Sequence, residues 1–94
     1  MEGEPLDLAR AEQLIRAILS SGETVFSNHA LDEMPNRDLT AQDCKNVLRG
    51  GWVESFELEK GTWRYRVRTA RMCVVIAFRS ESRLVVVTAW RDER

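Results

Sequence analysis

Apolar residues recur at helical spacing in the first half of the chain and at every second position in the second half. Leu8, Ala11, Ile15 and Ile18 follow a three–four spacing, widened by Leu14 and Leu19, which predicts an amphipathic helix over residues 7–20. Asp7 suits its N-cap, and Ser20, Ser21 and Gly22 close it. Thr24 to Phe26 reads as a short extended piece. Ser27 then caps a second short helix carrying Ala30, Leu31 and Met34, which Pro35 is expected to stop. A third helix starts at Thr40, with Asp43 standing in for the glutamate of a capping box and Leu39 and Cys44 spaced as a hydrophobic staple. Cys44, Val47 and Leu48 form its buried stripe, and Gly50-Gly51 supplies the stop.

From Trp52 the period becomes two. Residues 52–58 predict a strand and Lys60-Gly61 a turn. Trp63 to Arg68 alternates, with Trp63, Tyr65 and Val67 on one face and Arg64, Arg66 and Arg68 on the other. Cys73–Phe78 and Leu84–Trp90 are apolar strands separated by a polar turn over Arg79 to Arg83. Three or four strands joined by short loops suggest an antiparallel meander whose apolar face is covered by the helices, an α+β domain. No repeat, linker or low-complexity tract divides the chain, so residues 1–94 read as one domain.

Charge is polarised along the chain. Residues 1–50 carry five Arg or Lys against nine Asp or Glu, a balance of −4, whereas residues 51–94 carry nine against six, a balance of +3. The basic half is nearly all arginine, whose planar fork suits phosphate or carboxylate. Cys44 and Cys73 stand apart from each other and from the single histidine, so they read as buried, reduced thiols and not as zinc ligands. The N-terminus is acidic and has no signal-peptide pattern, and no apolar run approaches transmembrane length, which points to the cytoplasm. Phosphate-loop, dinucleotide-binding, paired-carboxylate and metal-ligand motifs are all absent, which argues against a nucleotide-hydrolysing or zinc enzyme.

The chemistry that remains centres on arginine. Arg64, Arg66 and Arg68 project from one strand face roughly 6–7 Å apart, a spacing comparable to successive phosphates of a single strand, and Arg71 follows them. Such contacts would position a nucleic acid without reading it. Trp63 or Trp90 at a sheet edge could stack a base. Equally, the ladder could be a solvated face, or pair across the sheet with Glu54, Glu57 and Glu59. His29 is the one side chain able to exchange a proton near neutral pH, and Asp32 and Glu33 follow it; a histidine just after an N-cap serine also serves as a structural donor. Arg37 and Arg91, each beside an aspartate, suit either a phosphate or a carboxylate.

The segment Phe26-Ser27-Asn28-His29-Ala30, followed by Met34, Arg37 and Leu39, together with Val47-Leu48, Gly50-Gly51, Trp63 to Val67 and Leu84 to Trp90, resembles a family of small bacterial toxin-like domains found beside antitoxins with a YgiT-type zinc finger. Over about residues 12–91 the chain is similar to MqsR-type toxins and, more distantly, to the RelE-like ribonuclease fold. The resemblance implies a type II toxin that cleaves messenger RNA, free or on the ribosome, without metal or cofactor. It implies silencing by a bound antitoxin, which would carry any zinc. It puts His29, Arg37, Tyr65 and Arg66 in one catalytic cluster, with Arg68 and Arg91 beside it, and the ladder reading adds Arg64, Arg71 and Trp90 along the RNA. Glu33 departs from the family pattern, where a basic residue commonly precedes the methionine; its charge would weaken phosphate binding there or shift it to the ladder. The competing reading is a non-catalytic module that binds a protein or nucleic acid.

Overall fold

A computed structural model describes residues 1–92. The elements run α1 (Leu8–Ser21), β1 (Glu23–Phe26), α2 (Asn28–Asn36), α3 (Ala41–Gly50), β2 (Trp52–Glu59), β3 (Thr62–Arg68), β4 (Met72–Ser80) and β5 (Arg83–Arg91). All three helices begin at the residues whose side chains can satisfy free N–H groups. Asp7 accepts from Arg10 N–H, Ser27 from Ala30 N–H, and Thr40 and Asp43 form a reciprocal capping box. The Asp43 carboxyl lies below its ordinary value because it accepts the Thr40 backbone N–H, helped by the Thr40 hydroxyl and by Arg91.

Pro35 does not end α2. It sits in the last turn, and the chain leaves the helix at Asp38, whose φ of 57° lets Leu39 N–H return to Met34 O at 2.8 Å. That bond is the six-to-one closure of a Schellman motif, made here by a left-handed aspartate in place of glycine. Leu8 and Leu31, expected on buried stripes, are instead exposed, and the core faces of α1 and α2 are Ala11, Ile15 and Ile18, and Ala30 and Met34.

β2 to β5 form the expected antiparallel meander, but the sheet has five strands in the order β1-β5-β4-β3-β2. The extended piece after α1 is the fifth, lying parallel to β5 with Glu23 opposite Arg83 and Phe26 opposite Val86. The β2–β3 hairpin turns on Lys60 and Gly61, both at positive φ, the backbone a two-residue turn needs to match strand twist. One sheet face meets the helices. Val53, Tyr65, Val67, Val74, Ile76, Phe78, Leu84 and Val86 pack with Ile15, Ile18, Val47 and Leu48 in a single core. No described helix packs on the opposite face.

The edge of β5 changes partner halfway. β1 covers its first half, and α2 takes over the rest: Ser27 donates through N–H to Val86 O and through Oγ to Val87 O, and Arg37 donates to Ala89 O at 2.7 Å. The two cap residues of α2 thus satisfy carbonyls that an open edge would leave bare. This substitution brings α2, with His29 and Arg37, alongside the sheet. No helix among the described residues is long and apolar enough to cross a membrane.

Candidate functional site

Two irregularities in the sheet build the site. Strict alternation from Leu84 would bury Thr88 and Trp90 beside Val86. Instead Val75 pairs with Thr88 while Ile76 pairs with Val86, so Val87 is an extra residue in β5. Beyond this bulge Ala89 enters the core, and Thr88 and Trp90 turn to the helix-free face. β2 behaves likewise at Glu54. Val53 opposite Val67 faces the core, while Ser55 and Glu57 stand across from Arg66 and Arg64 on the open face. Bulges re-aim every side chain that follows them, and they gather near functional sites for that reason.

Between the two re-aimed strands lies a groove of about 160 Å³, with Ser55 and Glu57 on one wall, Arg64 and Arg66 on its floor, and Thr88 and Trp90 opposite. The three ladder arginines differ in what holds them. Arg64 Nη1 is paired with Glu59 at 3.0 Å, and its buried Nε has no hydrogen-bond partner. Arg68 is held by Asp92 and lies 3.6 Å from Glu54. Arg66 has no carboxylate partner among the described residues; its guanidinium carbon lies 5.4 Å from the centre of the Trp90 ring, a cation–π stack. Cross-strand pairing therefore neutralises two rungs of the ladder and leaves one.

Arg37 approaches the same face from α2. Its Nη1 lies 2.7 Å from Ala89 O and 3.4 Å from Thr88 Oγ1, while Nη2 lies 3.3 Å from Glu33. Thr88 pairs with Val75 and Val75 with Arg66, so one row across the sheet runs from Arg66 to Thr88 and ends on Arg37. His29 is exposed in the first turn of α2 and engages no described residue. It stands four residues before Glu33 and eight before Arg37, on the same side of the helix. Glu33 thus acts on Arg37, which it partly neutralises.

Tyr65 does not join this group. It is fully buried on the core face, where its hydroxyl donates to Glu4 Oε2 and accepts from Leu6 N–H, both at 2.9 Å. Neighbours in a strand face opposite ways, so its adjacency to Arg66 in the chain guarantees separation. Its role is to tie the N-terminal segment over the core. Tyr65→Phe is expected to cost about 1–3 kcal/mol, the penalty for leaving buried partners unpaired, measurable as a lower urea midpoint.

Arg91 also lies off the groove. It faces the helices, bonded to Asp38 O at 3.1 Å and 3.6 Å from Asp43. Arg71 is exposed in the β3–β4 turn, beside Asp92 and Arg91 in a separate depression. Sequence reading missed Thr88 and Ser55, since only the bulges bring them to the site.

Burial pushes the Cys44 and Cys73 thiols up to about 11, and Tyr65 up to about 12. These groups keep their protons in the folded chain at pH values where the unfolded chain has lost them. Their contribution is complete below the ordinary thiol range and is lost as pH rises through the folded values. Denaturant midpoints should therefore be flat from pH 6 to about 8 and fall between about pH 9 and 12. Neither thiol should react with a disulfide reagent at pH 8 until the chain is unfolded; ready reaction in the native state would contradict their burial.

No described group of three His, Cys, Asp or Glu side chains is arranged to hold a metal ion. Fold and groove together define a small α+β domain presenting arginine and tryptophan on the uncovered face of its sheet. The chain belongs to the family described as Domain of unknown function (DUF4258), whose model matches residues 26–91. The match takes in α2 and every residue of the groove. No curated protein and no solved structure shows significant similarity to the chain.

Proposed function

We propose that the groove binds single-stranded RNA and that the chain is a metal-independent endoribonuclease, the toxin of a type II toxin–antitoxin pair acting on messenger RNA in the cytoplasm. The helices-on-sheet arrangement fits a RelE-like or MqsR-like architecture in outline. The observation that carries the reading is the row linking Arg66, Thr88 and Arg37, which brings two guanidinium groups to one row of the sheet, with His29 exposed on the adjoining helix α2. A base would stack against the rim near Trp90, and Arg66 and Arg37 would neutralise the scissile phosphate. His29 would take the proton from the 2′-hydroxyl as its oxygen bonds to phosphorus. The bond to the 5′-oxygen breaks, that oxygen takes a proton from solvent water, and the products are a 2′,3′-cyclic phosphate and a 5′-hydroxyl. Tyr65, on the far side of the sheet, has no part in this scheme.

The test is cleavage of single-stranded RNA by the full chain in EDTA, with mass spectrometry of the new ends. Cyclic phosphate termini that disappear in a folded His29→Ala variant support the scheme; cleavage unchanged by that substitution removes His29 from it. In cells, expression should arrest growth and the product of the neighbouring gene should relieve it.

The pairing of Arg64 with Glu59 and of Arg68 with Asp92 favours a second reading, a non-catalytic binding module, because a polyanion would meet fewer unpaired cations there. Tight partner binding without RNA cleavage or toxicity would select it.

A further inference from the structure

The sheet's two edges are finished differently. The edge strands are β1 and β2: the four-residue β1 shares the cover of β5 with α2, whereas the eight-residue β2 has β3 on one side and no described strand on the other. Only its start is covered, where Glu12 of α1 accepts Val53 N–H at 2.9 Å. Residues 55–59 make no described backbone hydrogen bond outside the β2–β3 ladder. This open stretch carries two exposed apolar side chains: Phe56 is 39% and Leu58 56% exposed, and both stand on the same face as Tyr65 and Trp63. Phe56 is already fixed, edge-on to Trp63 at 5.8 Å and tilted against Tyr65 at 6.0 Å. On the opposite face of the same strand Glu57 and Glu59 are exposed, and Glu57 has no described ion pair.

We infer that β2 receives an added strand from a partner protein, an extended segment alternating apolar residues with lysine or arginine. An uncovered edge offers backbone donors and acceptors in register, and alternate side chains set which strand it takes. Apolar side chains of the incoming strand would extend the Phe56–Leu58 surface, and its basic ones would meet Glu57, Glu59 being already paired with Arg64. The same charges exclude a second copy of this chain. β2 contains three glutamates and no basic residue, so two β2 edges would bring like charges together. The β2 backbone edge and the Phe56–Leu58 surface lie off the proposed cleavage row, whereas Glu57 and Glu59 also line the groove; the inference stands whether or not the groove cleaves RNA.

The probes are two ten-residue peptides, one alternating valine and lysine, the other valine and glutamate, titrated into the full chain and followed by backbone amide shifts. The lysine peptide should bind about fivefold more tightly, from a favourable cross-strand pair at Glu57 against an unfavourable one. Its shifts should centre on residues 55–59. The double variant Glu57→Lys/Glu59→Lys, with its fold checked by circular dichroism, should invert the preference. Equal binding of both peptides by the unaltered chain, shifts centred elsewhere, or self-association through β2 in sedimentation would each overturn the inference, and none of these requires the variant to fold.

Discussion

Arg66→Ala is expected to lower RNA cleavage by about 10²–10³-fold, the usual loss when one donor to a developing anion is removed. The unfolding midpoint should move little, because the cation–π stack on Trp90 contributes about 0.5–1 kcal/mol at a site open to water. The asymmetry with its neighbours makes the prediction specific. Arg64 and Arg68 already spend their charge on Glu59 and on Asp92, so their removal takes less positive potential from the groove. Alanine at either position should therefore reduce cleavage much less than alanine at 66. Arg66→Lys keeps the charge but loses the planar fork and its stacking, and should recover only part of the rate. Single-turnover rates with saturating RNA would separate these cases. Similar losses at all three positions would mean the ladder acts as a diffuse charge, and the special place given to Arg66 would be wrong.

Gly51→Ala is expected to destabilise the fold by about 3 kcal/mol, at the upper end of what overpacking costs, or roughly 12–24 °C in Tm for a domain of this size. A Cβ at position 51 would fall 2.4 Å from Arg68 O and 2.7 Å from Val47 O. Both obstacles are backbone. Val47 O accepts the Gly51 N–H that closes α3, and Arg68 ends the central run of β3, so neither can step aside without moving an element. The residue before it behaves oppositely. Nothing lies within 4 Å of a Cβ at Gly50, which is the last residue of α3, so Gly50→Ala should leave stability unchanged or raise it by up to about 1 kcal/mol. Thermal melts of the two single variants provide the check. A mild effect at 51 would show that α3 and β3 can part slightly at low cost.

Much of the local structure is legible in the sequence alone. Caps are decided within four residues, which is why Asp7, Ser27 and the Thr40–Asp43 box could be read from side-chain chemistry and spacing. The faces of β3 were equally legible, since its alternation is unbroken from Trp63 to Arg68. Burial of both cysteines followed from their apolar surroundings.

The site was not legible in the same way, because it depends on where alternation fails. An extra residue in a strand leaves no mark in a run such as Leu84–Trp90, yet it reverses the facing of everything after it. The tertiary structure alone decided that Thr88 and Trp90 join Arg66, that Tyr65 belongs to the core, and that two ladder arginines are neutralised. It likewise decided that the segment after α1 pairs with β5, sixty residues away, as Glu23 opposite Arg83 records. The physical reason is common to all of these. Chain-local preferences act over a turn or a few residues, whereas register, edge pairing and charge pairing are settled by which distant surfaces pack best.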